Sequence, residues 1–385
     1  MKTWLIYVIV GSLLAMLVFA GIHAYLESQA NSSLPDIFFG VDAAYDNMES
    51  LKKRVDEVKG YTNFFIIGSY GITFDETKVN EMGQYIYDNG LSFAVFAHTN
   101  RDSDVLLNQS EWSSYARDRW GKRFWGLYAY DEPGGHQIDS DPIFMAVKGA
   151  DNYSDAADKF VSKLRDDALL DFLPLDSPLM TSDYALYEFD YKAGYDVILA
   201  ELAWNHSRPI NIALARGAAA VHGKDWGVML TYTYTTPPYL AFGKQIYDDL
   251  VLAYENGAKY FMVFDYAKDP ETNVAHGILQ QEHLDALQRF WQYVKRNPKP
   301  AVPNERVAYV LPKDYAYGFR GPDDSIWGLW GPDDLSSRIW SDANSLANQY
   351  GSALDIVYED TLQNHAFNYS KLMFWNGTIL TNGSP

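Results

Sequence analysis

Hydrophobic and polar residues alternate along this chain with two different periods. Short runs rich in β-branched and aromatic residues predict strands, and each is followed by a longer stretch with the apolar spacing of an amphipathic helix. The predicted strands cover residues 37–46, 62–69, 91–100, 124–132, 179–184, 196–205, 227–234 and 259–266. The predicted helices cover residues 48–59, 76–89, 111–119, 153–172, 187–194, 209–222, 244–256 and 282–294.

These eight strand–helix pairs lie within residues 37–298, and their number and length predict one closed domain. The 262 residues of this range match the size of about 250 that is typical of a (β/α)8 TIM barrel. A run of separate doubly wound domains is the alternative, but no Gly-rich nucleotide loop follows any predicted strand. The sequence therefore favours an α/β barrel and indicates neither a nucleotide nor another cofactor.

A Pro-rich segment at 297–303 predicts the end of the barrel and the start of a second unit. Residues 305–380 predict a strand at 306–311, a helix at 334–350 and strands at 354–358 and 372–375, as in a small flavodoxin-like α/β domain. Its first loop contains Gly-Pro-Asp-Asp twice, at 321–324 and 331–334. This repeat fits either an acidic calcium loop or turns in which Asp caps a helix, and we favour the turns.

The N-terminal segment, residues 1–30, predicts a membrane-targeting sequence followed by a stalk at 31–36. No residue from 4 to 26 is formally charged, and Lys2 precedes this run. The run is long enough to span the hydrocarbon core of a bilayer, so it is either a cleaved signal peptide or an uncleaved anchor. Its 23 residues favour the anchor, and the membrane is then a partner of the N-terminal helix.

Charge and composition narrow the function and the location. With 31 basic and 50 acidic residues, the formal charge is −19, which excludes the clustered positive charge of a nucleic-acid-binding surface. The chain has no Cys, so disulfides and thiolate catalysis are excluded. Seven Asn-x-Ser/Thr sequons predict a glycosylated protein that is secreted or anchored at the cell surface, in a bacterial or archaeal envelope. The sequon asparagines are Asn31, Asn108, Asn152, Asn205, Asn368, Asn376 and Asn382.

Acidic residues at predicted strand ends are the first candidates for chemistry, because the active site of a TIM barrel lies at the carboxyl ends of its strands. The fourth predicted strand ends in Asp131 and Glu132, and a Pro-Gly-Gly turn follows directly. The sixth carries Glu201 within an apolar run, where we expect it to face the barrel mouth. Further polar residues near strand ends predict a ring around these three: Asp42, His98, Asp183, Asn205 and Asp265.

Paired carboxyl groups and aromatic rings together indicate a carbohydrate site. In glycoside hydrolysis a protonated carboxyl group assists the leaving oxygen, and a second carboxylate attacks or stabilises the developing cation. Flat rings pack on the apolar faces of sugars, and several lie near predicted strand ends: Tyr128, Tyr130, Trp204, Tyr232, Tyr234, Tyr239 and Tyr266. The histidines at 98, 206 and 276 lack the paired spacing of metal ligands, so we expect no metal site.

The strand pattern with Tyr130, Asp131, Glu132 and Pro133 at the end of the fourth strand resembles TIM-barrel glycoside hydrolases, in particular families 20 and 123. The resemblance implies that Glu132 is the general acid and that Asp131 orients a 2-acetamido group of the substrate, which itself acts as nucleophile. Glu201 has no counterpart in that resemblance. An ordinary mechanism with two carboxylates therefore stays open.

The sequence thus predicts an extracellular glycoside hydrolase that acts on a polysaccharide or on glycoprotein glycans. Glu132, Glu201 and Asp131 are the candidate catalytic residues. The other candidates are for substrate binding: Asp42, His98, Tyr130, Asp183, Trp204, Asn205, Tyr232, Tyr234 and Asp265. The alternative is a glycan-binding or surface-layer protein without catalysis that uses the barrel as a scaffold.

Overall fold

A computed structural model describes residues 36–97, 108–173, 175, 177–266, 277–300, 302–303, 305–362 and 365–381. Eight parallel strands close into a barrel in sequential order, which confirms the predicted (β/α)8 TIM barrel. The barrel strands are β1 Phe38–Ala43, β2 Phe64–Ile67, β3 Ser92–Ala97, β4 Phe124–Ala129, β5 Leu179–Asp183, β6 Val197–Glu201, β7 Asp225–Leu230 and β8 Tyr260–Asp265.

Ten α-helices accompany these strands within the described residues. They are α1 Met48–Val58, α2 Tyr70–Thr73, α3 Glu76–Asp88, α4 Gln109–Trp120, α5 Pro133–Ile138, α6 Tyr153–Lys163, α7 Tyr187–Ala193, α8 Arg208–His222, α9 Gly243–Glu255 and α10 Gln281–Arg296. All eight predicted helices are confirmed, whereas the short α2 and α5 were not predicted. The predicted strands extend beyond the observed ones because their last residues form the loops at the barrel mouth.

Alternation along each strand divides the core into two layers. Side chains that point inward fill the barrel, among them Phe64, Phe96, Met180, Leu199 and Met262. Their neighbours in sequence point outward and pack against the surrounding helices. A residue has the inward parity when it occupies one of the alternating strand positions whose side chains point into the barrel. A polar group near a strand end therefore reaches the barrel mouth only if its residue has the inward parity.

A second sheet follows the barrel and has the order β10-β9-β11-β12. Its strands are β9 Val307–Leu311, β10 Leu354–Tyr358, β11 Lys371–Phe374 and β12 Ile379–Thr381, and its helices are α11 Ser336–Tyr350 and the one-turn α12 Glu359–Leu362. The first three strands are parallel, with the 2-1-3 order of flavodoxin-like sheets. β12 is an antiparallel edge strand, which departs from the predicted flavodoxin-like pattern.

The second sheet packs on α8 through a very close backbone approach. A Cβ atom on Gly217 would lie 2.4 Å from the carbonyl oxygen of Ile356, so only glycine fits at this crossing. Next to it, Arg216 donates from Nε to Asp355 Oδ1 over 2.6 Å, and both side chains are buried. The barrel helix and the second sheet are thus in direct, dry contact, and the domain boundary near residue 300 stays a prediction.

The N-terminal anchor and stalk fall on residues 1–36, and 1–35 lie outside the described part of the chain. Among the residues that are described, no helix has both the length and the apolar character needed to cross a membrane. The anchor stays a prediction from the sequence.

Candidate active site

An open cavity of about 440 Å³ lies at the carboxyl end of the barrel. Its size falls within the range of about 300–1,000 Å³ that is usual for ligand sites. The loops after β4, β5, β6 and β7 and the end of β8 contribute to its wall. The lining residues are Tyr128, Asp131, Glu132, Asp139, Ser182, Tyr184, Glu201, Trp204, His206, Met229, Thr231, Tyr232, Phe264 and Arg320.

Glu132 occupies a strained turn between β4 and α5. Its backbone has φ 48° and ψ 46°, a left-handed conformation that costs a residue with a side chain about 1–3 kcal/mol. Its N–H donates to the carbonyl of Ser182 over 3.1 Å, which fixes the turn against β5. Pro133 then begins α5, and its preset φ suits the first helical position. The turn therefore directs Glu132 into the cavity.

Strained backbone recurs around the cavity. Tyr130, two residues before Glu132, has φ 57°, and Trp204, after β6, has φ 43°. Residues with side chains adopt such angles when the surrounding structure enforces them, and they concentrate at functional sites. Strained positions therefore lie close to both glutamates in sequence.

Hydroxyl groups link the acidic residues into one network. Ser182 Oγ lies 2.7 Å from Glu201 Oε1 and 3.1 Å from Asp131 Oδ1. Tyr128 OH lies 2.8 Å from Ser182 Oγ and also donates to Asp131. Because a hydroxyl has one proton, Tyr128 can donate to Asp131 while Ser182 donates to Glu201. The hydrogen bonds that hold Asp131 and Glu201 within the described residues thus come from neutral hydroxyl donors.

The carboxyl groups of Glu132 and Glu201 lie within hydrogen-bonding reach of each other. Burial and the nearby charge of Asp131 raise the pKa of Glu132 to about 8. Burial first, and then the charges of Glu132 and Asp131, raise the pKa of Glu201 well above its ordinary value. Two carboxyl groups at such close range cannot both be ionised at neutral pH, because their negative charges would repel each other. The pair therefore retains a proton.

Aromatic rings form much of the remaining wall. Tyr184, Trp204, Tyr232 and Phe264 line the cavity together with Tyr128. The hydroxyl of Tyr232 donates to the carbonyl of Tyr266 over 3.0 Å, which fixes the ring. The predicted positions of Trp204 and Tyr232 in the site are therefore where the structure places them.

Asp42 lies deeper, with the inward parity of β1. It is 1% exposed, and its Oδ1 has no hydrogen-bond partner among the described residues. Burial, followed by the charges of Asp131 and Asp265, raises its pKa well above the ordinary value. Asp42 thus belongs to the same acidic region but does not line the cavity.

Asp265 was predicted to face the substrate, and the structure shows that this is wrong. Phe264 has the inward parity of β8, so Asp265 points outward to the helices. There it accepts from Arg54 Nε over 2.9 Å and from the N–H of Leu279 over 3.0 Å. Burial raises the pKa of Asp265, and Arg54 opposes this shift. Asp265 and Arg54 thus form a buried ion pair that stabilises the fold.

Asp183 also points away from the cavity, because Ser182 has the inward parity of β5. Its carboxylate accepts from the N–H of Gly134 over 2.5 Å and of Gly135 over 2.8 Å. These N–H groups belong to the first turn of α5. Asp183 therefore caps the helix behind Glu132 and supports the loop instead of the substrate, contrary to the prediction.

The structure places the remaining predicted binding residues outside the cavity lining or does not describe them. Tyr130 packs edge-on against Phe144 and does not line the cavity, so the prediction for it is wrong. Asn205 and Tyr234 are exposed and are likewise absent from the lining. His98 lies outside the described residues.

Sequence reasoning missed several lining residues. Ser182 precedes Asp183, and a correct parity for β5 would have identified it. Asp139 and Tyr184 follow the strand ends and interact through a hydrogen bond of 2.6 Å. Arg320 comes from the C-terminal unit, so no local signal connects it to the barrel.

Metal binding has no support within the described residues, where no group of three or more His, Cys, Asp or Glu side chains is placed to hold an ion. His276 lies outside them. The repeated Gly-Pro-Asp-Asp loop has other roles. Asp333 Oδ1 accepts from the N–H groups of Leu335 and Ser336 at the start of α11, and Asp324 binds Arg320.

Comparison with known proteins supports the barrel. No protein-family model matches the chain, and no curated protein matches its sequence. A GH5_18 variant from Bifidobacterium longum subsp. longum, in complex with Manb1-4GlcNAc, is similar in structure, with a TM-score of 0.52 and 13% identity, over 90% of this chain and 97% of that chain. The beta-galactosidase of the psychrophilic Marinomonas ef1 has a TM-score of 0.51 and 11% identity, over 88% of this chain and 72% of that chain. These similarities show a TIM-barrel fold.

The corrected position of Asp265 makes a stability prediction. Asp265→Asn leaves the buried Arg54 without its main counter-charge, and we expect the free energy of unfolding to fall by about 3–5 kcal/mol. Urea denaturation measures this change. Asp196→Asn is the control, because Asp196 pairs with Lys224 at the surface, where a loss of about 1 kcal/mol or less is expected. Equal losses in the two variants would contradict the assignment.

Proposed function

We propose that this protein is a glycoside hydrolase in which Glu132 is the general acid and Glu201 is its carboxylate partner. The observation that carries the proposal is the meeting of these two carboxyl groups in an open cavity at the carboxyl end of the barrel. Strongly perturbed carboxyl groups in a cleft are typical of acid–base catalysis. A glycan-binding scaffold would not need a carboxyl group that keeps its proton near neutral pH.

Each member of the network has a chemical role in this proposal. Glu132, with its raised pKa, gives its proton to the glycosidic oxygen as the bond breaks. Glu201, ionised once a substrate has separated the pair, attacks or stabilises the anomeric carbon, and Ser182 holds it by a hydrogen bond. Trp204, Tyr184 and Tyr232 supply flat surfaces for the sugar rings. Retaining enzymes need carboxyl groups about 5–5.5 Å apart, so a bound sugar must move Glu132 away from Glu201.

Family 20 and 123 chemistry is the second route to the same function, and one observation favours it. Asp131 lines the cavity beside Glu132, and Tyr128 and Ser182 fix its carboxylate. An oriented carboxylate in this position suits a substrate whose 2-acetamido group attacks its own anomeric carbon. The two routes assign different residues to the second step of catalysis.

A location outside the cell is also part of the proposal. Five of the seven sequon asparagines fall within the described residues, and all five side chains are exposed: Asn108, Asn152, Asn205, Asn368 and Asn376. Asn108 and Asn152 also cap helices through Oδ1. We propose a glycoprotein of the cell surface that the N-terminal segment anchors in the membrane.

The Glu132 assignment makes a prediction about leaving groups. Glu132→Gln keeps the shape but cannot give a proton, so turnover of unactivated glycosides should fall by about 10²–10⁴-fold. Aryl glycosides with good leaving groups need little protonation and should lose much less. Steady-state kinetics on both substrate types measure the difference, with Glu81→Gln on the exposed face of α3 as the control. Unchanged turnover in Glu132→Gln would refute the proposal.

The pH profile provides a further check on Glu132. The acid form is the active one, so kcat/KM should fall as the pH rises through about 8, the pKa to which burial and Asp131 raise this carboxyl group. In Glu132→Gln the residual activity on aryl glycosides should not show this alkaline loss. An alkaline limb that persists in the variant would assign the ionisation to another group.

The partner of Glu132 is predicted from a pair of variants. If Glu201 attacks the sugar, Glu201→Gln should abolish turnover of both activated and unactivated substrates, whereas Asp131→Asn should be milder. If the acetamido route holds, Asp131→Asn should be the more damaging change, and only 2-acetamido sugars should be cleaved. Trapping with a 2-fluoro glycoside and mass spectrometry of Glu201 separates the routes.

The proposed location predicts glycans on the natural protein. Protein isolated from its own cells should be in the membrane fraction, and glycopeptide mass spectrometry should find sugars on Asn205 or on other exposed sequons. Asn256, which is buried and has no sequon, is the internal control. Unmodified peptides at all five sites, together with recovery from the cytosol, would refute the location without affecting the proposed catalysis.

A further inference from the structure

The segment between β9 and α11, residues 312–335, contributes to the wall of the cavity. It packs against the loop and helix that follow Glu132: Gln137 Nε2 donates to the carbonyl of Trp327 over 2.7 Å, and Ser325 Oγ donates to the carbonyl of Ile138 over 3.3 Å. A Cβ atom on Gly328 would lie 2.0 Å from the carbonyl oxygen of Gln137. Backbone therefore lies directly on backbone at this contact.

Arg320 is the side chain that this segment places in the cavity. Asp324 holds it on one edge, with Nε to Oδ2 at 3.0 Å and Nη2 to Oδ1 at 2.8 Å. Asp139 accepts from Nη1 on another side and is itself held by Tyr184 OH. The guanidinium group is thus fixed in position before any ligand binds.

These contacts leave part of the guanidinium group available. A guanidinium has five N–H groups, and the contacts with Asp324 and Asp139 use one on Nε, one on Nη1 and one on Nη2. Within the described part of the chain, one N–H on each terminal nitrogen has no further hydrogen bond, and the Arg320 side chain is 28% exposed. Two such donors fit two adjacent oxygen atoms, either those of a carboxylate or those of neighbouring hydroxyl groups.

The surrounding charge decides between these two ligands. Asp324 and Asp139 already balance the single positive charge of Arg320. Among the fourteen lining residues in the described part of the chain, Arg320 is the one Arg or Lys, whereas four are Asp or Glu. His206 does not add a charge, because burial and the nearby arginines lower its pKa. The net negative surface would repel a carboxylate on the ligand, whereas it would not repel the uncharged oxygen atoms of hydroxyl groups.

We propose that Arg320 is a specificity-determining residue that binds adjacent hydroxyl groups of an uncharged sugar, so that the site accepts neutral glycans and rejects uronic acids. This inference rests on the proposed function for the class of ligand. It makes the C-terminal unit part of the substrate site. Arg320 binds the substrate and takes no part in bond cleavage.

Calorimetric measurement of binding to the full-length chain carrying Glu132→Gln tests the proposal, because this background should cleave unactivated glycosides about 10²–10⁴-fold more slowly. The probes are tetrasaccharides of β-1,4-glucose, mannose, xylose, galactose and N-acetylglucosamine, with tetragalacturonate as the acidic probe. At least one neutral probe should bind and tetragalacturonate should not. Adding Arg320→Ala to this background should weaken the affinity for the neutral ligand by about 10- to 100-fold, as expected for the loss of charge-assisted hydrogen bonds.

Three further variants complete the test. Arg320→Lys keeps the charge without the two-pronged donor and should not restore affinity. Asp324→Asn removes one balancing carboxylate and should shift the uronate-to-neutral binding ratio upward by about tenfold. Arg338→Ala is the control, because Arg338 lies on the exposed face of α11, where it pairs with Asp342. This variant should bind the neutral ligand with the affinity of the background. Thermal melting of each variant shows that the fold is intact.

The failures of the two proposals are distinguishable. The role of Arg320 is overturned if Arg320→Ala and Arg320→Lys bind the neutral ligand with unchanged affinity. It is also overturned if the Glu132→Gln background binds tetragalacturonate more tightly than any neutral probe. Either result leaves the glycosidase proposal in place. A chain that neither binds nor cleaves any probe overturns the proposed function, and the inference on Arg320 with it.

Discussion

The contact between the carboxyl groups of Glu132 and Glu201 is the constraint on which the rest of the site depends. Two buried acids at this range retain a proton between them, because ionising both is prohibitively costly without a cation. The hydroxyl group of Ser182 donates to Glu201 and stabilises the charge that remains, but it does not neutralise it. A site arranged in this way stores a transferable proton at neutral pH.

Holding this contact requires support from outside the barrel. Glu132 stands in a left-handed turn, and Asp183 caps the helix behind it through the N–H groups of Gly134 and Gly135. The segment 312–335 then covers that helix from its other side. A strained loop stays in place only when its surroundings fix it from several directions, and here β5 and the C-terminal unit both do so. The C-terminal unit, through the segment 312–335, therefore helps to position Glu132.

Periodicity predicted the architecture because each strand and helix carries its own signal. The same reasoning predicted Glu132 and Glu201, since a carboxyl group at the end of an apolar strand is costly to bury and is best accommodated at the barrel mouth. It failed at Asp265 and Asp183, where an error of one position in strand parity turns a side chain from the cavity to the helical layer. It missed Arg320 because the contact between residues 137 and 327 brings together segments that are remote in sequence, and no local pattern records such a contact.

The placement of cations explains why acids of the same type behave differently in this fold. Asp265 has Arg54 beside it, and Asp355 has Arg216, so these buried carboxylates are balanced and serve stability. Among the described residues that line the cavity, the one arginine is already bound by Asp324 and Asp139, and none of them supplies a cation to Glu132 or Glu201. Burial first, and then the charge of Asp131, raises the pKa of Glu132, and no described cation opposes this shift. A cation moved next to Glu132 would stabilise its ionised form and remove the proton that the proposed catalysis needs.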